Sequence, residues 1–167
     1  MNCKFACTLA PMKLIIVDYG CALCGRDFSA PDVPHALYGE FLLRSHGAGR
    51  MAYLNALADE PYQEVAQLVM AHTGVDKSSS VLGSLLHGVY GAVACDPDQD
   101  GNAFHLELTA PCPHCASQQI SARRIREPVE VEDVAVEPVT HALWDSMGQE
   151  ERARRVASQL KTLSLLA

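Results

Sequence analysis

The sequence lacks a long apolar stretch, an N-terminal targeting pattern and the common catalytic motifs. No run of about 18 uncharged apolar residues is present, so no segment is expected to span a membrane. The nearest run, 81–95, contains His87 and three glycines, which predicts a buried helix. The N-terminus has no basic region followed by an apolar stretch, so we expect no signal peptide and a cytoplasmic protein whose thiols are reduced. Residues 1–11 are poorly patterned, and either Met1 or Met12 could be the working start.

Basic residues are also scarce, with 13 Lys and Arg against 20 Asp and Glu and a net charge of −7. The whole excess lies in residues 31–110, which contain ten acids and three bases. Proteins that bind nucleic acid normally carry a basic footprint, so this distribution argues against that function class. One cluster, Arg123, Arg124 and Arg126, remains a candidate for contacts with backbone phosphates.

Enzymatic signatures are missing as well. The chain contains no G-x-S-x-G, no H-E-x-x-H, no phosphate-binding loop and no dinucleotide fingerprint, which favours a protein that is not an enzyme. A histidine–carboxylate site assembled from distant residues stays open, because sequence spacing does not display such sites. No catalytic residue is assigned.

Two cysteine pairs of the same form stand out against these absences. They are Cys21-Ala-Leu-Cys24 and Cys112-Pro-His-Cys115. Two residues between the cysteines let both thiolates of a pair reach one ion from a tight turn, and two such turns complete a tetrahedral shell. The spacing predicts a structural Zn²⁺ site with no open position for water, although iron uses the same turns. His114 is then expected to point to solvent.

Each pair follows a predicted strand. The segments 13–19 and 104–108 run into the first and second pair, and 118–126 reads as a third strand after the second pair. Gly25 suits the position after a cysteine pair, which often needs a positive φ, whereas Ala116 departs from that pattern. Of the other three cysteines, Cys95 is predicted to be a core thiol, and the remaining two are read as incidental, namely Cys3 and Cys7.

These two turns and their flanking strands resemble the zinc-ribbon (rubredoxin-like) superfamily over about a quarter of the chain. The resemblance implies a small metal-stabilised module, of a kind that often serves as a recognition element in nucleic-acid or multiprotein machinery. It implies no particular partner.

The rest of the chain predicts helices inserted in the ribbon and a helix at its end. Apolar spacing predicts helices over 35–45 and 51–58, a third that starts at 59–61 and ends at Gly74, and a fourth that starts at 78–80. The residues 129–136 predict a strand and 141–145 a helical turn, and Ser146 with Gln149 forms a capping box that opens the last helix. The predicted fold is therefore α+β, with a zinc-ribbon module (12–30 and 103–138), a helical insertion (31–102) and a C-terminal helical region (139–167).

An acidic turn matches the calcium-loop pattern D-x-D-x-D-G-x₅-E. Asp96, Asp98 and Asp100 occupy its first positions and Glu107 its last. The following segment reads as a strand that Pro111 ends, so the exiting helix of an EF-hand is missing. We therefore favour an acidic turn over a Ca²⁺ site.

Taken together, the sequence predicts a non-enzymatic zinc-binding adaptor or regulatory module that binds a protein partner. The alternatives are a nucleic-acid-associated zinc-ribbon protein, which would use the three arginines, and, less favoured, a metal-supported enzyme.

Overall fold

A computed structural model describes residues 11–34 and 38–166, and the side chains of Leu165 and Leu166 are not described. This part of the chain folds as predicted into an α+β structure with two antiparallel sheets and four helices. The strands are β1 (Met12–Cys21), β2 (Asp27–Asp32), β3 (Glu40–Ser45), β4 (Met51–Asn55), β5 (Phe104–His105), β6 (Ile120–Ile125) and β7 (Val131–Val134). The helices are α1 (Glu60–Thr73), α2 (Ser80–Ala94), α3 (Ala142–Ser146) and α4 (Gln149–Leu166).

The first sheet is built around β1, which carries the first cysteine of the chain's described part. One edge of β1 pairs with β2. The other edge pairs with β7 along residues 12–15 and with β6 along residues 17–21, and all of these pairings are antiparallel. Tyr19 and Phe28 lie opposite each other in the β1–β2 register and their rings stack 5.4 Å apart. The apolar face of this sheet buries Cys21 and Cys112 with the side chains of its strands.

The second sheet has the order β4-β3-β5 and supports the helices. Its main core combines Leu43 and Leu54 of the sheet with Val65 of α1, Val89 of α2 and Val156 of α4. Between the two sheets lies a smaller apolar cluster of Leu14, Leu42 and Val136.

The predicted starts and ends of the two inserted helices are confirmed. The Oδ1 atom of Asp59 accepts a hydrogen bond from the backbone N–H of Tyr62 at the start of α1, and Gly74 ends the helix with φ 71°. Ser79 caps α2 through the backbone N–H of Val81. These polar caps satisfy N–H groups that have no partner within a helix.

A strip of small residues on α2 allows close packing. A Cβ atom added to Gly88 would lie 2.7 Å from Cδ1 of Leu163 on α4, so a larger residue would force the Leu163 side chain to move. An added Cβ at Gly91 would collide with the backbone carbonyl of Phe104 in β5. Helix α2 is thus held against both α4 and the second sheet.

Two of the predicted helices are wrong. The described part of 35–45 contains strand β3, residues 35–37 lie outside the described residues, and 51–58 contains strand β4. Leu42 and Leu43 are both buried because they face different cores, so β3 loses the alternation that marks a half-buried strand. The insertion predicted over 31–102 therefore contains a β-hairpin before its two helices, and the division into domains remains a prediction.

Two further details differ from the prediction. Of the strand predicted over 104–108, only Phe104 and His105 form a strand. They pair with β3, whereas the prediction placed this strand next to the second cysteine pair, in a hairpin with β6. The capping box is also wrong: the Ser146 hydroxyl donates to the carbonyl of Leu143, and the first amides of α4 donate to the carbonyl of Gly148. The strand predicted over 129–136 and the helical turn predicted over 141–145 are confirmed as β7 and α3.

Among the described helices, none combines the length and apolar character that crossing a membrane requires.

Candidate metal centre

The two cysteine turns have the same backbone structure. In the first, the N–H of Gly25 donates to the carbonyl of Cys21 at 3.0 Å, and the N–H of Cys21 donates to the carbonyl of Arg26 at 2.9 Å. In the second, Ala116 and Ser117 make the corresponding bonds with Cys112, both at 2.8 Å. We call these turns knuckle 1 (21–26) and knuckle 2 (112–117).

The knuckles bring all four predicted sulfurs together. The Sγ atoms of Cys21, Cys24, Cys112 and Cys115 lie within 4.8 Å of one another. Two close pairs run between the knuckles, with Cys21 and Cys115 3.5 Å apart and Cys24 and Cys112 3.7 Å apart. Four sulfurs at about 2.3 Å from a tetrahedral Zn²⁺ lie about 3.8 Å from one another, so these spacings match such a shell. They are far longer than the roughly 2.05 Å of a disulfide bond.

The chemistry of the donors fits a cation as well. Backbone N–H groups of Cys24 and Leu23 donate to the Cys21 sulfur and lower its pKa to about 6, against the effect of burial. At Cys115 the N–H of Ser117 acts in the same direction, but burial and the three neighbouring thiols raise the pKa to about 12. The first proton thus leaves easily while the last is held, because negative charge accumulates on adjacent sulfurs. A divalent cation would relieve that repulsion, so the cluster can hold a metal ion.

The cluster lies at one end of the first sheet. Cys21 and Cys112 are each 1 % exposed, whereas Cys24 is exposed and Cys115 is half-buried. Its inner side is therefore apolar and its outer side faces solvent. His114 is exposed, as predicted, and its Nδ1 atom lies 3.3 Å from a guanidinium nitrogen of Arg26 across the two knuckle tips.

Knuckle 2 is supported by side chains where knuckle 1 is supported by strands. Knuckle 1 forms the end of the β1–β2 ladder. Beside knuckle 2, the Thr109 hydroxyl donates to the carbonyl of Gln118, and the Gln118 side-chain amide donates to the carbonyls of Thr109 and Ser45. The same amide therefore ties knuckle 2 to strand β3 of the second sheet. Sequence spacing offered no signal for this arrangement.

The acidic turn does not assemble a calcium site. Oδ1 of Asp98 accepts from the backbone N–H groups of Asp100 and Asn102, which closes the turn on itself. Asp96 accepts from the first amides of α3, and Glu107 pairs with His87. Within the described ranges, the four cysteines are the only group of three or more candidate ligand residues whose ligand atoms converge.

The three arginines proposed for phosphate contacts have different surroundings. Arg126 donates to Asp18 at 2.7 Å and to Glu130 at 2.6 Å, and Arg123 pairs with Asp32 at 2.9 Å. The acids of β1 and β2 thus neutralise two of the three charges, which weakens the case for nucleic acid. Arg124 is exposed on the same strand.

A histidine–carboxylate pair joins three elements that the sequence did not connect. Nε2 of His141 lies 2.8 Å from Asp59, and Nδ1 lies 2.7 Å from the carbonyl of Ala94. Since a carboxylate and a carbonyl both accept, this setting favours the protonated imidazole, in which both ring nitrogens donate. Burial lowers the pKa of His141, but the bonds to Asp59 and Ala94 outweigh it and raise the pKa overall. Asp59 also accepts from the Tyr90 hydroxyl, so this buried pair fastens the start of α1, the end of α2 and the start of α3.

An apolar groove lies between the second sheet and the first two helices, on the face away from the cysteines' sheet. It encloses about 720 Å³, and we call it the α1–α2 groove. Leu82 and Leu86 are buried at its floor, while Tyr38 and Leu57 at its edge are 87 % and 63 % exposed. Its polar lining residues include Glu40, Gln63, Gln67 and Lys77.

The remaining predicted cysteine positions are settled only in part. Cys95 is a buried thiol at the end of α2, as predicted, and burial raises its pKa to about 12. Cys3 and Cys7 lie outside the described residues. Comparisons with protein-family models, curated proteins and solved structures returned no match for this chain.

Proposed function

We propose that the chain is a zinc-stabilised binding module, in which Cys21, Cys24, Cys112 and Cys115 hold one structural Zn²⁺. The observation that carries this proposal is the convergence of the four sulfurs at spacings that suit a tetrahedral shell. When bound, the ion supplies a cross-link and charge neutralisation and leaves no position for a reacting water. The chain's own contribution is the backbone N–H groups that donate to sulfur and the apolar strands behind them.

Elemental mass spectrometry of protein purified without added metal tests the metal. We expect one zinc per chain, and loss of the metal in the variant Cys21→Ser/Cys112→Ser. Cys95→Ser is the matched control, because Cys95 is a buried thiol of the other core. Iron with a visible absorption band, or protein that folds fully without metal, would overturn the assignment.

The second part of the proposal is that the module binds a protein in the α1–α2 groove. Exposed Tyr38 and Leu57 stand over a floor of buried leucines, which is the arrangement that accepts the apolar face of a helix. Residues 31–110 carry the protein's whole net negative charge. The charges of Glu40 and Lys77 in the lining balance, so the acidic excess of this segment lies outside the groove. The partner that we propose is an amphipathic helix whose apolar face fills the groove and whose Lys and Arg residues lie beyond it.

A displayed library of helical peptides provides a defined probe. We expect selection to enrich apolar residues at i, i+3, i+4 and i+7 with basic flanks, and Leu57→Ser to weaken the selected peptides by about tenfold, roughly 1.4 kcal/mol. Val129→Ser is the matched control, since Val129 is similarly exposed, at 58 %, and does not line the groove. Selection of acidic peptides, or equal effects of the two substitutions, would contradict the proposal.

A further inference from the structure

Sulfur contacts in the cysteine cluster run between the knuckles as well as within them. Two short contacts join one cysteine of knuckle 1 to one of knuckle 2, namely Cys21 to Cys115 and Cys24 to Cys112. Each pair also combines a buried residue with a more accessible one: Cys21 is buried and Cys115 half-buried, while Cys112 is buried and Cys24 exposed. A small oxidant thus has an accessible sulfur in each pair, with a second sulfur less than 4 Å behind it.

The geometry points to an oxidation-sensitive centre, in which a hydroperoxide converts the four cysteines into two disulfides between the knuckles, Cys21–Cys115 and Cys24–Cys112, and releases the metal. This inference rests on the proposed zinc binding and adds its regulation.

The reaction balances at each pair. The accessible thiolate attacks one peroxide oxygen, the O–O bond breaks, and the sulfur becomes a sulfenic acid while hydroxide leaves. The buried thiolate then attacks that sulfur, the S–S bond forms, and a second hydroxide leaves. Each hydroxide takes up a proton from solvent and becomes water. For the whole centre, two hydrogen peroxide molecules and four protons yield two disulfides, four waters and one free Zn²⁺.

Disulfides between the knuckles have a different structural effect from disulfides within them. Cys21 and Cys115 are 94 residues apart in sequence and Cys24 and Cys112 are 88 apart, so the new bonds would close long loops and keep the two knuckles cross-linked. A bond within one pair would close only a four-residue turn and leave the knuckles free to separate. Oxidation should therefore remove the metal and preserve the fold, whereas a chelator removes the metal and leaves no cross-link.

Trypsin places knuckle 1 in the peptide 14–26 and knuckle 2, together with Cys95, in the peptide 78–123, so the intact masses distinguish links between the knuckles from links within them. Fragmentation between the two cysteines of each knuckle then assigns which sulfurs are joined. Zinc-loaded protein is treated with hydrogen peroxide, released zinc is measured with a chromogenic chelator, and unreacted thiols are alkylated before digestion. We expect about two peroxides consumed per zinc released and the two peptides joined as one mass until reduction. Cys95→Ser serves as the control. Its second peptide should still be joined to the first, at a mass changed only by the substitution and the lost alkyl group, because Cys95 lies in the other core.

Several outcomes would overturn the inference. Peptides closed on themselves would show that disulfides form within the pairs, and links to peptides that contain Cys3 or Cys7 would show a different partner. Zinc retained at a tenfold excess of peroxide would show a centre that resists oxidation. Protein that carries no zinc before treatment would instead overturn the proposed function, and with it this inference. As a second measurement, oxidised protein should keep the near-ultraviolet circular dichroism of the loaded form, and chelator-treated reduced protein should lose it.

Discussion

The two knuckles have equal backbone hydrogen bonds but unequal support. Knuckle 1 continues a regular strand pair and has glycine at the position with positive φ, Gly25 at 71°. Knuckle 2 follows an irregular segment held by the side chains of Thr109 and Gln118, and it has Ala116 at φ 60° in the equivalent position. The same turn therefore forms with or without a strand ladder and with or without glycine. The common requirement of the two turns is that both sulfurs reach the shared cluster.

The largest expected effect comes from removing one sulfur from either knuckle. Cys24→Ser and Cys115→Ser should each abolish stoichiometric zinc binding and remove a large share of the about 10–16 kcal/mol that structural zinc supplies in peptide sites. Elemental analysis and chemical denaturation measure the two losses. If one variant retained the metal, the knuckles would not be equivalent parts of one site.

A smaller loss of stability should follow when the side-chain support that is specific to knuckle 2 is removed. Gln118→Ala removes the amide that donates to Thr109 and Ser45, and we expect a loss of about 1–3 kcal/mol in the free energy of unfolding because two carbonyls lose their partner. Gln119→Ala is the matched control, since no side-chain bond holds that exposed neighbour, and it should fall within about 0.5 kcal/mol. Equal stability of the two variants would mean that the metal alone holds knuckle 2.

Exchanging glycine and alanine at the two positions with positive φ should change the stability of the protein in opposite directions. A Cβ atom at Gly25 would meet no described atom within 4 Å, so Gly25→Ala introduces only left-handed strain and should cost about 1–2 kcal/mol. Ala116→Gly relieves the same strain and should stabilise by a similar amount. Thermal unfolding of the zinc-loaded proteins measures both. Changes of the same sign would contradict the shared conformation.

The smallest effect tests whether the knuckles depend on the distant helical core. The bonds of His141 to Asp59 and Ala94 raise its pKa in the folded state, so its stabilisation is fully present below the unfolded value of about 6.5 and is lost as pH rises through the folded pKa. Wild type should therefore lose stability relative to His141→Gln over that interval, with His72→Gln, at an exposed site, as the control. Zinc content should stay constant over the same interval, and metal loss that follows His141 would show coupling between the regions.

Features that depend on residues close together in the sequence were predictable. The two cysteine pairs, the caps of α1 and α2 and the strands predicted over 13–19 and 118–126 depend on neighbouring residues, and the structure places them where spacing predicts. Strand β3 was not predictable in the same way. Leu42 and Leu43 face different cores, and an apolar run without alternation fits a helix as well as a buried strand.

Features assembled across the chain gave no local signal. Asp59 and His141 are 82 residues apart, and Gln118 reaches the carbonyl of Ser45 across 73 residues. The strand predicted over 104–108 has only two residues, and its pairing partner is β3. The apolar spacing of the β3 segment predicts a helix instead. One wrong secondary-structure prediction therefore caused a second error, in the topology around knuckle 2.

The distance in sequence between the knuckles also sets an order of events during synthesis. Cys24 leaves the ribosome 88 residues before Cys112, which at about 5–20 residues per second is a delay of roughly 4–18 s. During that interval the nascent chain offers only two of the four cluster thiols, while β3, β4 and both inserted helices are being made. Translation itself therefore delays completion of the four-sulfur cluster until the inserted segment is available to fold, and metal capture becomes a late step in maturation.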